Sequence, residues 1–453
     1  MFLKLAPLPH SRPVPNAVDF EAGMTGRLVR CSFLGQGVEG AGGPGYPFVV
    51  LAYSGGRAGR TEALQNFQRK LRRYDPERDG RFLSNTWGDR NRDLRINAGF
   101  MRKEIAAGAA LGVDVVQIDD GWQKGFTMNS ARGKGVWTGY WKQDPQFWDV
   151  DRTRFPEGLK PLVKEAAAQG MKFGLWFGPD SVDDFVNWQR DAARLLELHR
   201  NDGIDYFKID SVKAVTKAGE SNLRRMFDTV LRESQGKVVF DLDVTAEIRP
   251  GYFGLPDVGP IFVENRYTDF HRYWPHQTLR NLWKLAQYVD PLRLRMEVLN
   301  ESRNEDKYAG DPLAPSRYSP DMLFATVMMS NPLGWFETSN LPESYGKIMA
   351  PLIAEWKRQR ARMFSQTILP VGDAPDGTNW TGFVTFSPDR TSGYVLMFRG
   401  VNAPEEWSAA VNVFRTGATE LQTLGGSGTV SWRNGRLGVK IPSSPGFVWA
   451  RFQ

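Results

Sequence analysis

The chain has 453 residues, 41% of them hydrophobic and 24% charged, which excludes a peptide hormone, a lone small module and a disordered polymer. Lys and Arg (58) outnumber Asp and Glu (51), but the excess is scattered arginine. The run Arg69, Lys70, Arg72 and Arg73 lies on a helical pattern, so it reads as a solvated face and not as a nucleic-acid footprint.

The first 78 residues hold short β-like runs, Arg27 to Phe33 and Phe48 to Tyr53, separated by a Gly-rich stretch from Gly35 to Gly45. A helical pattern then starts at Thr61 and runs through Leu64, Phe67 and Leu71. This unit is expected to be a partial N-terminal β-segment with a linker helix.

Between residues 79 and 364 short apolar runs alternate with amphipathic helices. Strands are expected at Phe82 to Trp87, Val115 to Asp119, Lys172 to Phe177, Tyr206 to Asp210, Val238 to Asp243, Pro260 to Glu264, Arg293 to Leu299 and Gly334 to Glu337. Helices are expected at Asp93 to Leu111, Leu159 to Gln169, Asp183 to His199, Asn222 to Ser234, Gln277 to Tyr288, Pro320 to Met329 and Ser344 to Phe364. Eight such units close most naturally into a (β/α)8 TIM barrel, with its chemistry at the C-terminal ends of the strands. From 365 to 453 the helical period gives way to alternating strands and turns, as in Gly382 to Phe386, Gly393 to Phe398 and Gly446 to Phe452, an antiparallel β-sandwich domain.

The residues that can carry chemistry lie at the ends of the expected barrel strands. Strand two ends Gln117-Ile118-Asp119-Asp120-Gly121-Trp122, two carboxylates for sugar hydroxyls beside an indole for stacking. On strand four, period-two alternation puts Tyr206, Lys208 and Asp210 on one face. A lysine two residues before a carboxylate keeps it ionised, as a nucleophile requires. Trp176 ends strand three. Asp241, Asp243, Glu247 and Arg249 follow from strand five, and Glu264, Arg266 and Asp269 from strand six. Asn85, Trp87, Asp89, Asn300, Glu301, Glu337 and Asn340 complete a mouth rich in polar groups. Each has a plain structural alternative as a cap, an ion-pair member or a core side chain.

The only cysteine is Cys31, and the histidines are His10, His199, His271 and His276, with no His-Glu-x-x-His pattern. No cofactor or metal is therefore expected. No stretch of about 18 apolar residues occurs, so no membrane partner is expected either. A cytoplasmic location follows unless an export signal lies upstream. A carboxylate-lined mouth with tryptophans and no phosphate-cradling loop points to a carbohydrate substrate and glycoside chemistry. The oligomeric state stays open.

At these residues the chain resembles the melibiase-type α-galactosidases and their raffinose synthase relatives. The likeness rests on Ile118-Asp119-Asp120-Gly121-Trp122, on Phe155-Pro156-Glu157-Gly158-Leu159-Lys160 through Gly170-Met171-Lys172-Phe173-Gly174-Leu175-Trp176, and on Lys208-Ile209-Asp210. It implies a retaining exo-acting enzyme with Asp210 as nucleophile. Lys208, Asp119 and Asp120 would bind sugar hydroxyls, Trp176 would line the subsite, and Arg249 would match a family arginine. Where the family has its acid/base aspartate, aligning Thr268 and Asp269 leaves Arg266, which cannot donate a proton near neutrality. Glu264, two residues earlier, is the leading replacement and Asp269 the second choice; Arg266 would then meet a carboxylate on the substrate. The alternatives are a transglycosylase, a catalytically silent carbohydrate-binding protein and a divalent-metal lyase.

Overall fold

The computed structural model of the chain describes residues 1–5, 20–26, 28–33, 47–89, 91–214, 216–243, 257–263, 272–411, 413–414 and 421–452. In the N-terminal part β1 (Phe2–Lys4), β2 (Phe20–Thr25), β3 (Leu28–Phe33) and β4 (Phe48–Val50) form two antiparallel pairs, β1 with β4 and β2 with β3. The pairing of Phe20–Thr25 was not foreseen, because its Gly23 and charged Glu21 break the β-like signature that Leu28–Phe33 carries. The linker helix begins at Gly56, five residues ahead of the expected Thr61.

The next eight strands are β5 (Leu83–Asn85), β6 (Val115–Ile118), β7 (Lys172–Phe177), β8 (Tyr206–Ile209), β9 (Val239–Asp243), β10 (Ile261–Val263), β11 (Leu294–Val298) and β12 (Asn331–Trp335). All pair in parallel in sequence order, and β12 returns to β5 to close the barrel. Strands covered on both sides must be apolar on both faces, hence their continuous Val, Ile, Phe and Leu runs. Inside, Leu83, Val115, Tyr206, Val239, Phe262, Leu333 and Trp335 form one packed layer system. Outside, Val116, Ile118, Phe173, Leu175, Phe207, Ile209 and Phe240 pack against the helices.

The departures from expectation have local causes. Strand eight begins at Asn331, earlier than Gly334, because the Asn331 amide donates to Leu292 O and Leu294 O and takes Gly80 N on its oxygen, stitching that end of the barrel. The second helix is shorter than Asp93 to Leu111. It spans Ala98–Leu111 with Asn97 as N-cap, since Asp93 is engaged by Ser130, Ala131 and Arg154. In the stretch from Asp183 to His199, positive φ at Asp183, Asp184 and Phe185 interrupts the helix, which runs only from Trp188 to Glu197 before a π-turn.

After the barrel, β13 (Thr367–Gly372), β14 (Trp380–Phe386), β15 (Gly393–Arg399), β16 (Glu406–Ala410), β17 (Leu421–Gly426), β18 (Thr429–Arg433), β19 (Arg436–Lys440) and β20 (Gly446–Phe452) build two antiparallel sheets, ordered β13-β14-β15-β20-β17 and β16-β19-β18. A separate core of Val384, Val395, Met397, Leu437, Val439 and Val448 lies between them. Among the described residues no helix is long and apolar enough to cross a membrane.

Candidate functional site

The mouth of the barrel is organised by one lysine. Lys208 lies on the inward face of β8, and its Nζ is 3.0 Å from Asp119 Oδ2, 3.6 Å from Asp210 Oδ2 and 3.6 Å from Asp243 Oδ2. Beneath it are the Trp335 and Phe262 rings, with centroids at 4.8 and 5.1 Å. A cation over two aromatic faces, inside a triangle of carboxylates, is stabilised from every side in a place where an unpaired charge would be costly. One layer down, Arg295 Nε donates to Asp241 Oδ1 at 2.7 Å, so Asp241 serves the interior and not the mouth.

Around Lys208 the carboxylates differ in access. The Asp119 and Asp243 side chains are 4% and 5% exposed, whereas Asp210 is 16% exposed. Asp210 is held on both oxygens: Trp176 Nε1 donates to Oδ2 at 3.0 Å, and Ser211 N donates to Oδ1. Ser211 takes a positive φ of 55°, which turns its N–H back toward the preceding side chain. Asp119 accepts from Asn85 Nδ2 at 2.9 Å and from Asp120 N at 2.9 Å; burial pushes its carboxyl up, and Lys208 pulls it back.

The two other expected binders on strand two are turned elsewhere. Asp120 accepts from Thr127 Oγ1 and, at 2.6 Å, from Gln123 Nε2, and burial raises it to about 7. It anchors the loop that follows. Trp122 is fully buried, donates its indole N–H to Trp176 O at 2.8 Å and stacks on Trp148 at 6.0 Å. It supports β7 from behind and offers no face to a ligand, because the Gly121 turn swings it into the outer core. Trp176 is also buried, and the polar end of its ring faces Asp210. The structure thus brings together Asp119, Lys208, Asp210 and Trp176. Arg249, Glu264, Arg266, Glu247 and Asp269 lie outside the described residues.

At the rim, Glu337 takes Arg95 and Asn91, Asn340 donates to Asp89, and Asn300 is occupied by Ser302. Glu301 follows β11, where burial pushes its carboxyl up to about 7.

Three contributors were absent from the sequence reading. Trp137 lies 6.5 Å from Trp176 ring to ring, Tyr140 shares a 2.8 Å hydrogen bond with Ser211, and Trp335 supports the lysine. Trp335 was accessible to sequence reasoning, since it shares inward parity with Leu333 on β12. Trp137 comes from the long segment after β6 and Tyr140 opens the short helix Tyr140–Gln143 within it, neither with a periodic signal.

Known proteins are similar to this chain in sequence over part of its length and in fold. Residues 45–192 match the Melibiase family model. An α-galactosidase of Escherichia coli is 32% identical over 87 residues, 19% of this chain and 11% of that protein. The α-galactosidase AgaA of Geobacillus stearothermophilus is 31% identical over 144 residues, 30% of this chain and 17% of AgaA. The crystal structure of AgaA superposes with a TM-score of 0.67 at 17% identity, covering 90% of this chain and 60% of that one. Variants of AgaA have been crystallised in complex with raffinose and with stachyose. The aligned stretches span under a fifth of these curated relatives, and the superposed chain covers three fifths of the AgaA structure.

Proposed function

This chain is a relative of the melibiase-type glycoside hydrolases, and from that kinship and the geometry around Lys208 we propose that it is a retaining exo-acting α-glycosidase of the α-galactosidase type. One observation carries the reading. Of the three carboxylates meeting at Lys208, Asp210 is the most open, and both of its oxygens are fixed by N–H donors. A carboxylate so oriented, beside a cation, is suited to attack.

In the first step Asp210 forms an ester bond to the anomeric carbon while the glycosidic C–O bond breaks. Glu264 gives its proton to the departing oxygen. In the second, Glu264 takes a proton from water, whose oxygen displaces Asp210 and releases the sugar. Lys208 and Asp119 would contact hydroxyls of the terminal sugar, with Asp120 holding the loop beside them. The raffinose and stachyose complexes of AgaA support a terminal α-galactoside as the first substrate to try.

Replacing Asp210 by Gly is expected to abolish turnover of an aryl α-galactoside, with partial recovery on adding azide as an external nucleophile. Full activity in that variant would overturn the assignment. Product analysis with excess acceptor sugar separates hydrolysis from transfer.

A further inference from the structure

Asp191 lies outside the lysine cluster, yet its contacts lead to Ser211 and Trp176, which donate to Asp210. It sits on the helix Trp188–Glu197 and, with Asp180 from the loop after β7, is fully buried. Asp191 Oδ1 accepts from Trp141 Nε1 at 2.8 Å, and Oδ2 accepts from Asp180 N at 3.0 Å. Asp180 in turn accepts from Gly139 N at 2.7 Å and from Asn187 Nδ2 at 3.1 Å. The two carboxylates therefore grip Gly139 and Trp141, the residues on either side of Tyr140. Tyr140 shares its hydroxyl hydrogen bond with Ser211, whose Oγ also lies 3.4 Å from Trp137 O. Trp137 packs on Trp176. Ser211 and Trp176 both donate to Asp210.

We propose that Asp191 is a positioning residue for the Asp210 carboxylate, acting through a clamp on residues 137–141. The proposal rests on the glycosidase reading of Asp210 and deepens it. Burying a carboxylate is costly, and a site that needed only shape would be met by a neutral side chain. Here each oxygen accepts an N–H, a pattern that asparagine cannot reproduce without turning its own N–H2 toward a donor. Burial pushes the Asp191 carboxyl up to about 7 against those two hydrogen bonds, and Asp180 and Arg190 are the charged groups acting on it. Arg190 stacks over the Trp141 ring at 4.3 Å and closes the clamp from the other side. Holding a reacting carboxylate through such outer contacts governs rate more than affinity, because its orientation matters most in the transition state.

Asp191→Asn and Trp141→Phe test this independently, the second removing one N–H and no charge. With an aryl α-galactoside each is expected to lower kcat about 10-fold or more while KM stays within about 3-fold, and the double variant is expected to be no slower than the slower single. A kcat within about 2-fold of the parent in both, or effects that multiply in the double, overturns the proposal. Hydrogen exchange over residues 137–143 supplies a readout free of turnover. It is expected to accelerate in both variants while the barrel strands keep their protection, and unchanged exchange overturns the clamp. A parent that turns over no aryl glycoside defeats the glycosidase reading alone, and exchange still decides the clamp. If Asp191→Asn does not fold, Trp141→Phe decides both arms.

Discussion

The indole N–H of Trp176 donates to Oδ2 of Asp210 at 3.0 Å, so this tryptophan acts on the carboxylate through its polar edge. Its ring is committed to packing, tilted against Trp148 at 5.7 Å and Trp137 at 6.5 Å.

Trp176→Phe keeps most of that packing and deletes the donor. A hydrogen bond to a charged group contributes about 1.5–3 kcal/mol, so kcat on an aryl α-galactoside is expected to fall about 10- to 100-fold. Thermal stability is expected to fall modestly with the loss of the same hydrogen bond. A variant with parental kcat would show that Asp210 stays oriented without the indole N–H.

Lys208→Met leaves Asp119, Asp210 and Asp243 facing one another without their shared cation. Removing one partner of a buried ionic cluster costs about 3–5 kcal/mol, which a urea midpoint would register. Turnover is expected to be lost as well. A midpoint equal to the parent's would mean that the carboxylates relax at no cost, contrary to their burial.

Asp120 provides a pH test with a definite sign. Burial raises its carboxyl to about 7 in the fold, against about 3.9 in the unfolded chain. Between those values the folded state binds the extra proton, so this group's contribution is full below about pH 4, declines as pH rises and is gone above about pH 7. The swing is on the order of a few kcal/mol. Asp120→Asn is expected to flatten the loss of stability between about pH 4.5 and 7.5, measured as the difference in urea midpoints. An unaltered slope would remove Asp120 as its source.

Gly121 has φ +114°, and a Cβ there would lie 2.5 Å from Asp93 Cβ and 2.7 Å from an Arg154 nitrogen. Gly121→Ala combines backbone strain with overpacking, each costing about 1–3 kcal/mol. A lowered melting temperature is expected, along with weaker activity, since this turn carries the chain from Asp119 and Asp120 to the loop that bears Trp137. A parental melting temperature would show that the Asp93–Arg154 contact can yield.

The barrel was legible because its strands are bounded apolar runs at regular intervals, and Lys208 with Asp210 because a period of two puts them on one face. The place of Trp122 after β6 suggests a ligand platform, but that place says nothing about which way a ring turns beyond the last paired residue; Trp176 lies within β7, paired with Lys208, and its ring edge meets Asp210. The eighth strand was misjudged for a related reason: Asn331 looks like a loop residue until its amide is seen bonding across to the turn before β11.

By itself the sequence determined the order of strands and helices, the closed parallel barrel and the inward face of β8, since these follow from hydrophobic period and local alternation. Only the tertiary structure decided that Asp119 and Asp243, which lie 89 residues before and 35 after Lys208, share its charge, that Asp120 faces away, and that Asp191 bears on Asp210 through Trp141 and Tyr140. Those relations join distant segments across the barrel mouth. They depend on side-chain direction and on the sharing of a few donors among many acceptors, which no linear pattern encodes.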